Sequence, residues 1–404
     1  MSDAPLSDQR ACRPFSPRDP HEPHRAATPL ELLFDLVSVI AIASAAAGLH
    51  HAIAENHATQ GVITFLIAFF AIWWAWMNYS WYASAYDNDG PFFRVNTFVI
   101  MTGALLLAAG IPSLFSSMDV RLLIAGYVIM RIGMVIFWLR AALQDPVHAP
   151  AARFYAIGIF LAQIYWVLGL IVWRPENQAA FYAIWIIGMA AELAVPAIAE
   201  RCVITPWHRH HMIERYGLLN IIVLGEILLA GSMAIEAAGA TLSFSDPLLH
   251  IALSGLVITF SMWWLYFCRE EHLSSGNLGR AILWGYGHYI IYASGAAVGA
   301  GLALLVDIVS GHAEASVRTG DIAVAIPLAG YMLGLWFTRD RFNLAFPQSL
   351  TLPAFAIFIL VAGFFLPAAL ELMALASALC VFFRYGASLS ISALGRHHRA
   401  TKEK

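Results

Sequence analysis

Apolar blocks of about 20 residues follow one another from residue 30 to residue 392, with few charges inside them. A helix of that length crosses a hydrocarbon core of about 30 Å. A β-barrel would instead alternate in polarity over strands of about 10 residues, and these runs do not alternate. Of the 404 residues, 60% are hydrophobic and 12% are charged, where a soluble domain carries about 25% charged residues. The predicted fold is therefore an all-α polytopic membrane protein of about twelve transmembrane helices. The expected spans are 30–52, 60–83, 93–112, 121–140, 153–174, 179–200, 212–236, 247–268, 280–309, 321–338, 350–367 and 371–392. The last two are joined by a tight turn at Leu366, Pro367 and Ala368.

Lysines and arginines orient the chain. With the N-terminus inside, the tails and even-numbered loops hold 19 of the 23 basic residues, and the outer loops hold Arg121, Arg174 and Arg318. That asymmetry is expected to place both termini in the cytoplasm. Residues 1–27 are polar, rich in Pro, Arg and His, and lack the apolar centre of a signal peptide. They read as a disordered cytoplasmic tail. Residues 393–404 form a basic cytoplasmic tail. Between them a repeat is expected. Phe70, Trp73, Trp74 and Trp76 of span two match Phe260, Trp263, Trp264 and Tyr266 of span eight. Asp35 precedes Trp73 by 38 residues and Glu226 precedes Trp263 by 37. Equivalent helices six spans apart share one orientation, which predicts a parallel six-plus-six duplication. Its halves are 28–200 and 212–392, joined by the basic, His-rich linker 201–211.

Four charges lie well inside spans: Asp35, Arg131, Glu192 and Glu226. Glu226 sits roughly 18 Å along its helix from Glu214, near mid-depth. An ionisable group there costs at least about 2.5 kcal/mol against lipid, so it should face protein, water or a counter-charge. Thr28, Pro29 and Glu31 form a capping box, which gives Glu31 a local role. Asp35 lies one turn deeper on the same face. Arg131 has three acids to choose from, and the surplus of acid favours a proton or cation over an anion. Two readings stay open: an ion or proton pathway, or buried ion pairs that fix packing. Glu214, Arg215, Tyr216, Trp73, Trp74, Trp263, Trp264 and His288 are the supporting residues. Trp76, Tyr79, Trp81, Tyr82 and Tyr86 continue toward the cytoplasmic end and read as an interfacial belt. Gly295, Gly299 and Gly301 of span nine, and Gly103 and Gly110 of span three, should let helices approach closely.

Other constellations read as structural. Asp87-Asn88-Asp89-Gly90 is a turn. His208, His210 and His211 read as a solvated loop patch. The four cysteines have neither metal nor disulfide spacing. No metal site, cofactor or enzyme motif is expected. The net charge of −3 with no basic stripe argues against nucleic acid. The expected partners are the lipid bilayer and a proton or small cation, and the sequence is compatible with a homo-oligomer without requiring one.

Thr28-Pro29-Leu30-Glu31-Leu32-Leu33-Phe34-Asp35-Leu36-Val37, with Glu214-Arg215-Tyr216-Gly217-Leu218 through Val223-Leu224-Gly225-Glu226, resembles the signature stretches of the bacterial low temperature requirement A family. The resemblance covers roughly residues 25–395. Leu33, Ser38 and Asn220 stand where that family usually has Phe, an aromatic, and Thr or Ser. It implies a polytopic membrane protein and no particular biochemical activity. The paired first-helix acids are also similar to those of potassium channels built from six-helix repeats, although the serine of that element is absent here. The expected function is a cation- or proton-linked channel or transporter that uses buried helix carboxylates. The alternative is a non-transporting scaffold or sensor.

Overall fold

The computed structural model describes residues 16–23, 25–173, 177–238, 246–268, 273 and 278–400, the last sixteen as backbone. No strand occurs among them. Twelve long helices do: α1 (Pro29–Ala54), α2 (Ala58–Tyr86), α3 (Pro91–Ser117), α4 (Arg121–Gln144), α5 (Ala149–Val172), α6 (Gln178–Cys202), α7 (Arg209–Ala238), α8 (Pro247–Phe267), α9 (Leu278–Val309), α10 (Val317–Leu335), α11 (Thr351–Phe365) and α12 (Ala369–Ala400). Among the described residues, eleven spans are long and apolar enough to cross a membrane. The twelfth expected span falls within α12.

Local chemistry sets the helix ends. In α1 the Glu31 N–H donates to Thr28 Oγ1 at 3.3 Å, and the Thr28 N–H donates to Glu31 Oε2 at 2.7 Å. This is the expected capping box, which satisfies two orphan donors. Asp246 accepts from the Leu248 N–H at 2.9 Å to start α8, and Ser316 accepts from the Thr319 N–H at 3.1 Å to start α10. At the turn into α3, Asp87 Oδ1 accepts from the Asp89 N–H at 2.7 Å and Asp89 takes φ 53°. The DNDG stretch is thus the expected turn.

The chain divides into two compact units. One comprises residues 1–48, 59–219 and 273–282, the other 49–58, 220–272 and 283–404. In the first unit α3 packs on α4, α4 on α5 and α5 on α6. A Cβ at Gly103 would lie 2.6 Å from the Gly126 carbonyl oxygen, so α3 and α4 meet backbone to backbone. Helix α2 is enclosed: Trp73, Trp74, Trp76, Tyr79, Tyr82 and Tyr86 are each 2% exposed or less. Of the expected interfacial belt, Trp76, Tyr79, Tyr82 and Tyr86 therefore belong to a core, while Trp81 is part-exposed. Tyr82 stacks on Phe137 at 4.5 Å, and Trp138 on Tyr155 at 4.0 Å.

The N-terminal segment also departs from expectation. From Ser16 onward it is not a free tail. Arg18 donates its backbone N–H to Ala85 O at 2.9 Å, and Arg25 donates Nη2 to Ala83 O at 2.8 Å. The Ala85 carbonyl, in the last turn of α2, gains a donor that the helix itself does not supply, and Ala83 O accepts from Arg25 in addition to the Asp87 N–H at 3.0 Å. Residues 1–15 lie outside the described residues.

In the second unit α10 packs on α11, and α12 on α8 and α11. The small-residue face of α9 works as expected. A Cβ at Gly299 would lie 2.9 Å from the Glu226 carbonyl carbon, and one at Gly301 2.6 Å from Ala323 O. Trp263 and Trp264 are 47% and 45% exposed, unlike their sequence counterparts Trp73 and Trp74 at 2% and 0%. Helix α10 runs into a π-helical turn, Trp336–Asp340.

Candidate functional site

Helix α1 presents its polar residues inward. Glu31, Asp35 and Ser38 are buried, while Leu32, Leu33, Leu36 and Ile40 are exposed. In a membrane helix that is the stable arrangement, because lipid solvates leucine as well as a protein core does. On this face, in the first unit, Asp35 meets Arg215 of α7. Arg215 donates Nη1 to Asp35 Oδ2 at 2.8 Å and Nη2 to Oδ1 at 2.7 Å. The fork matches the carboxylate geometry. Trp76 Nε1 donates to Asp35 Oδ1 at 2.7 Å, and Arg215 Nη2 reaches Ser80 Oγ at 3.3 Å. Tyr216 packs its ring edge on Trp76, and its hydroxyl accepts from Trp81 Nε1 at 3.1 Å.

One turn nearer the helix end lies a second tier. His211 Nε2 sits 3.1 Å from Glu31 Oε1, and both side chains are fully buried. Arg25 stands 3.9 Å from the same carboxylate. The His211 N–H donates to His208 Nδ1 at 3.2 Å, and His208 Nε2 donates to the Glu22 carbonyl at 2.8 Å. This fixes the His208 tautomer, with the proton on Nε2, and burial pushes the imidazole below its ordinary range. His208 and His211 are therefore not the solvated patch expected of the linker; His210 is the exposed one. Glu214 is also exposed, accepting from the Ala27 N–H at 3.4 Å.

Asp87 closes this end of the cluster, with Thr28 Oγ1 at 3.4 Å from its Oδ2. Burial, and after it the Glu31 charge, pushes its carboxyl up to about 6. A carboxyl raised in the fold favours the folded state most below its unfolded pKa near 3.9, and that advantage is lost as pH rises through about 6. Asp87→Asn keeps the acceptor for the Asp89 N–H. It should stabilise the protein at about pH 8, by on the order of 2 kcal/mol, with the gain gone near pH 4. Unfolding curves of both proteins across that range check it.

The second in-span pair of this unit is separate. Arg131 of α4 donates Nη2 to Glu192 Oε2 of α6, and both are 0% exposed. The same carboxylate accepts from Trp74 Nε1 and the Tyr127 hydroxyl, each at 3.0 Å. It also accepts from Gln163 Nε2 and Trp166 Nε1, each at 3.3 Å. Five donors from α2, α4 and α5 thus converge on the Glu192 side chain of α6, which is fully buried. Of the three acids open to Arg131, Glu192 is its partner.

In the second unit Glu226 stands apart. It is half-buried, and among the described residues it makes neither an ion pair nor a side-chain hydrogen bond. Beside it, a Cβ at Gly225 would meet no atom within 4 Å. His288 is fully buried and structural: Nδ1 donates to Trp284 O at 2.7 Å, and Nε2 accepts from the Tyr266 hydroxyl at 3.1 Å. Arg339, Asp340 and Arg384 form a buried cluster; in the sequence the two arginines count only among the inner-side bases. Arg339 caps α8 through Tyr266 O at 2.7 Å and Leu265 O at 2.8 Å. Asp340 takes Arg384 at 2.6 and 3.1 Å. Arg215, a supporting residue in the sequence, is the direct partner of Asp35. Its position three residues inside span 212–236 was the available signal.

Comparison with known proteins follows the same lines. The family model of the bacterial low temperature requirement A protein (LtrA) matches residues 26–383. A protein of Rhizobium meliloti (strain 1021), described as uncharacterized protein RA0937, is 25% identical over 283 residues. The aligned region covers 64% of this chain and 64% of that relative. No solved structure matches.

Proposed function

The chain belongs to the bacterial low temperature requirement A family and is a multi-pass membrane protein, and from that premise we propose that it carries a proton or small cation across the membrane, with Glu226 as the binding carboxylate. The observation behind this is the isolation of Glu226. Asp35 and Glu192 have arginine partners, whereas Glu226 keeps a mid-span carboxylate with no counter-charge among the described residues. Such a group costs at least about 2.5 kcal/mol in hydrocarbon and contributes no contact that would explain its presence. Open space at Gly225 and the close approach of Gly299 give it room and a rigid backing. The test is proton, potassium and sodium flux in proteoliposomes. Glu226→Gln should lower flux at least tenfold with unchanged thermal stability. Wild-type flux in that variant would refute the role.

A second reading rests on the two sealed pairs, Asp35–Arg215 and Arg131–Glu192, which are built as packing elements. In a non-transporting scaffold or sensor, no ion would cross and Glu226→Gln would be silent in every flux assay. Under either reading the chain sits in the inner membrane, both termini in the cytoplasm, on the positive-inside asymmetry. The six-plus-six repeat belongs to this proposal on its matched spacing. No enzymatic activity, cofactor or nucleic-acid partner forms part of it. Native mass spectrometry of the same preparation reports whether a homo-oligomer forms.

A further inference from the structure

The second unit holds a cavity of about 320 Å³ where α8, α10 and α12 begin and α9 ends. Its wall includes Ile251, Leu305 and Val309, and its polar groups are Asp321, Glu371 and His250. Asp321 is 8% exposed, yet among the described residues it makes no hydrogen bond and no ion pair. The nearest base in the chain, Arg318, donates Nη1 to the carbonyls of Gly363 and Leu366 at 3.1 and 2.9 Å. Glu371 pairs with His250 at 2.8 Å, and both are nearly half exposed, so they form the rim. A deep acid with no partner, an acidic rim and aliphatic walls define one kind of occupant.

We propose that this cavity binds a small primary alkylammonium ion, with the N–H donors on Asp321 and the alkyl chain against Ile251, Leu305 and Val309. A buried carboxylate without a partner is costly, and a cation that donates hydrogen bonds removes that cost. The volume lies at the lower end of small-molecule pockets, which span about 300–1,000 Å³. An inorganic divalent ion fits poorly. Calcium takes about six to eight oxygens, and no metal-binding group of three or more His, Cys, Asp or Glu side chains occurs among the described residues. A quaternary ammonium fits poorly as well, since among the described residues no Trp, Tyr or Phe lines the wall to supply a cation–π face. The site is independent of the transport reading, because occupancy can be measured whether or not any ion crosses.

The experiment is calorimetric titration of the full-length protein in detergent with n-butylammonium chloride, and with tetramethylammonium chloride as the ion lacking N–H donors. Saturable butylammonium binding at least tenfold tighter than tetramethylammonium is expected. Asp321→Asn should weaken it at least tenfold, and Glu371→Gln by a few fold. Val309→Phe, which fills the cavity from its apolar side and leaves both acids in place, should abolish binding. It serves as the deciding variant if Asp321→Asn fails to fold. No saturable binding to the wild type would overturn the proposal. So would wild-type affinity in Val309→Phe, or equal displacement by potassium, which would reduce the site to an acidic patch.

Discussion

Arg215→Met should destabilise the protein by about 3–5 kcal/mol, the loss expected when one partner of a buried ion pair is removed. Asp35, 1% exposed, would keep Trp76 Nε1 as a donor but lose both arginine bonds and, among the described residues, the only cation within hydrogen-bonding distance. The double variant Asp35→Asn/Arg215→Met should recover most of that loss, because two neutral side chains leave no charge uncompensated. Unfolding in mixed micelles, wild type beside both variants, reads this directly. A neutral result for Arg215→Met alone would mean that the pair does not hold the start of α7 against α1. Asp35→Asn alone should also lower stability, since Arg215 would then be the uncompensated charge. That response separates Asp35 from Glu226, whose neutralisation is expected to leave stability intact.

Glu192→Gln should cost a similar amount, about 3–5 kcal/mol, for a related reason. It leaves Arg131, 0% exposed, without a counter-charge, and it offers one oxygen and two hydrogens to a site built from five donors. The amide nitrogen would face donors such as Trp74 Nε1 or the Tyr127 hydroxyl. Trp166→Phe is the control. It removes one neutral donor to the carboxylate and should cost about 1–3 kcal/mol. If Glu192→Gln unfolds at the wild-type midpoint, the site is wetter than its zero exposure indicates, and Glu192 rejoins the candidates for a proton path.

Much of the frame could be read from the chain. The capping box at Thr28 and Glu31, the turn at Asp87, the close-packing glycines of α9 and most helix ends follow from local chemistry. The candidate site was legible only in part. Asp35 and Glu31 were visible as acids on one face of a helix. Their partners are His211, from the end of a linker whose histidines read as a solvated patch, and Arg215, from the first turns of the following span. Arg25 and Asp87 belong to stretches that looked like a tail and a simple turn. Asp321 lies at the edge of an expected span, where a carboxylate attracts no notice until the cavity around it is seen.

What the sequence determined by itself was the order and approximate place of the helices, and the position of Glu226 within its own. Those quantities depend on hydropathy along the chain and on a fixed rise per residue. Which face of each helix turns inward was decided by the tertiary structure. A soluble helix marks its buried face by being apolar there, but in a bilayer both protein and lipid accept apolar side chains, so the mark is absent. That is why Trp74 and Trp264, alike in sequence context, end at 0% and 45% exposure. It is also why four in-span charges could be identified one by one while their pairing could not. The arginine that meets Asp35 is 180 residues away, and only the packing of α1 against the start of α7 brings the two together.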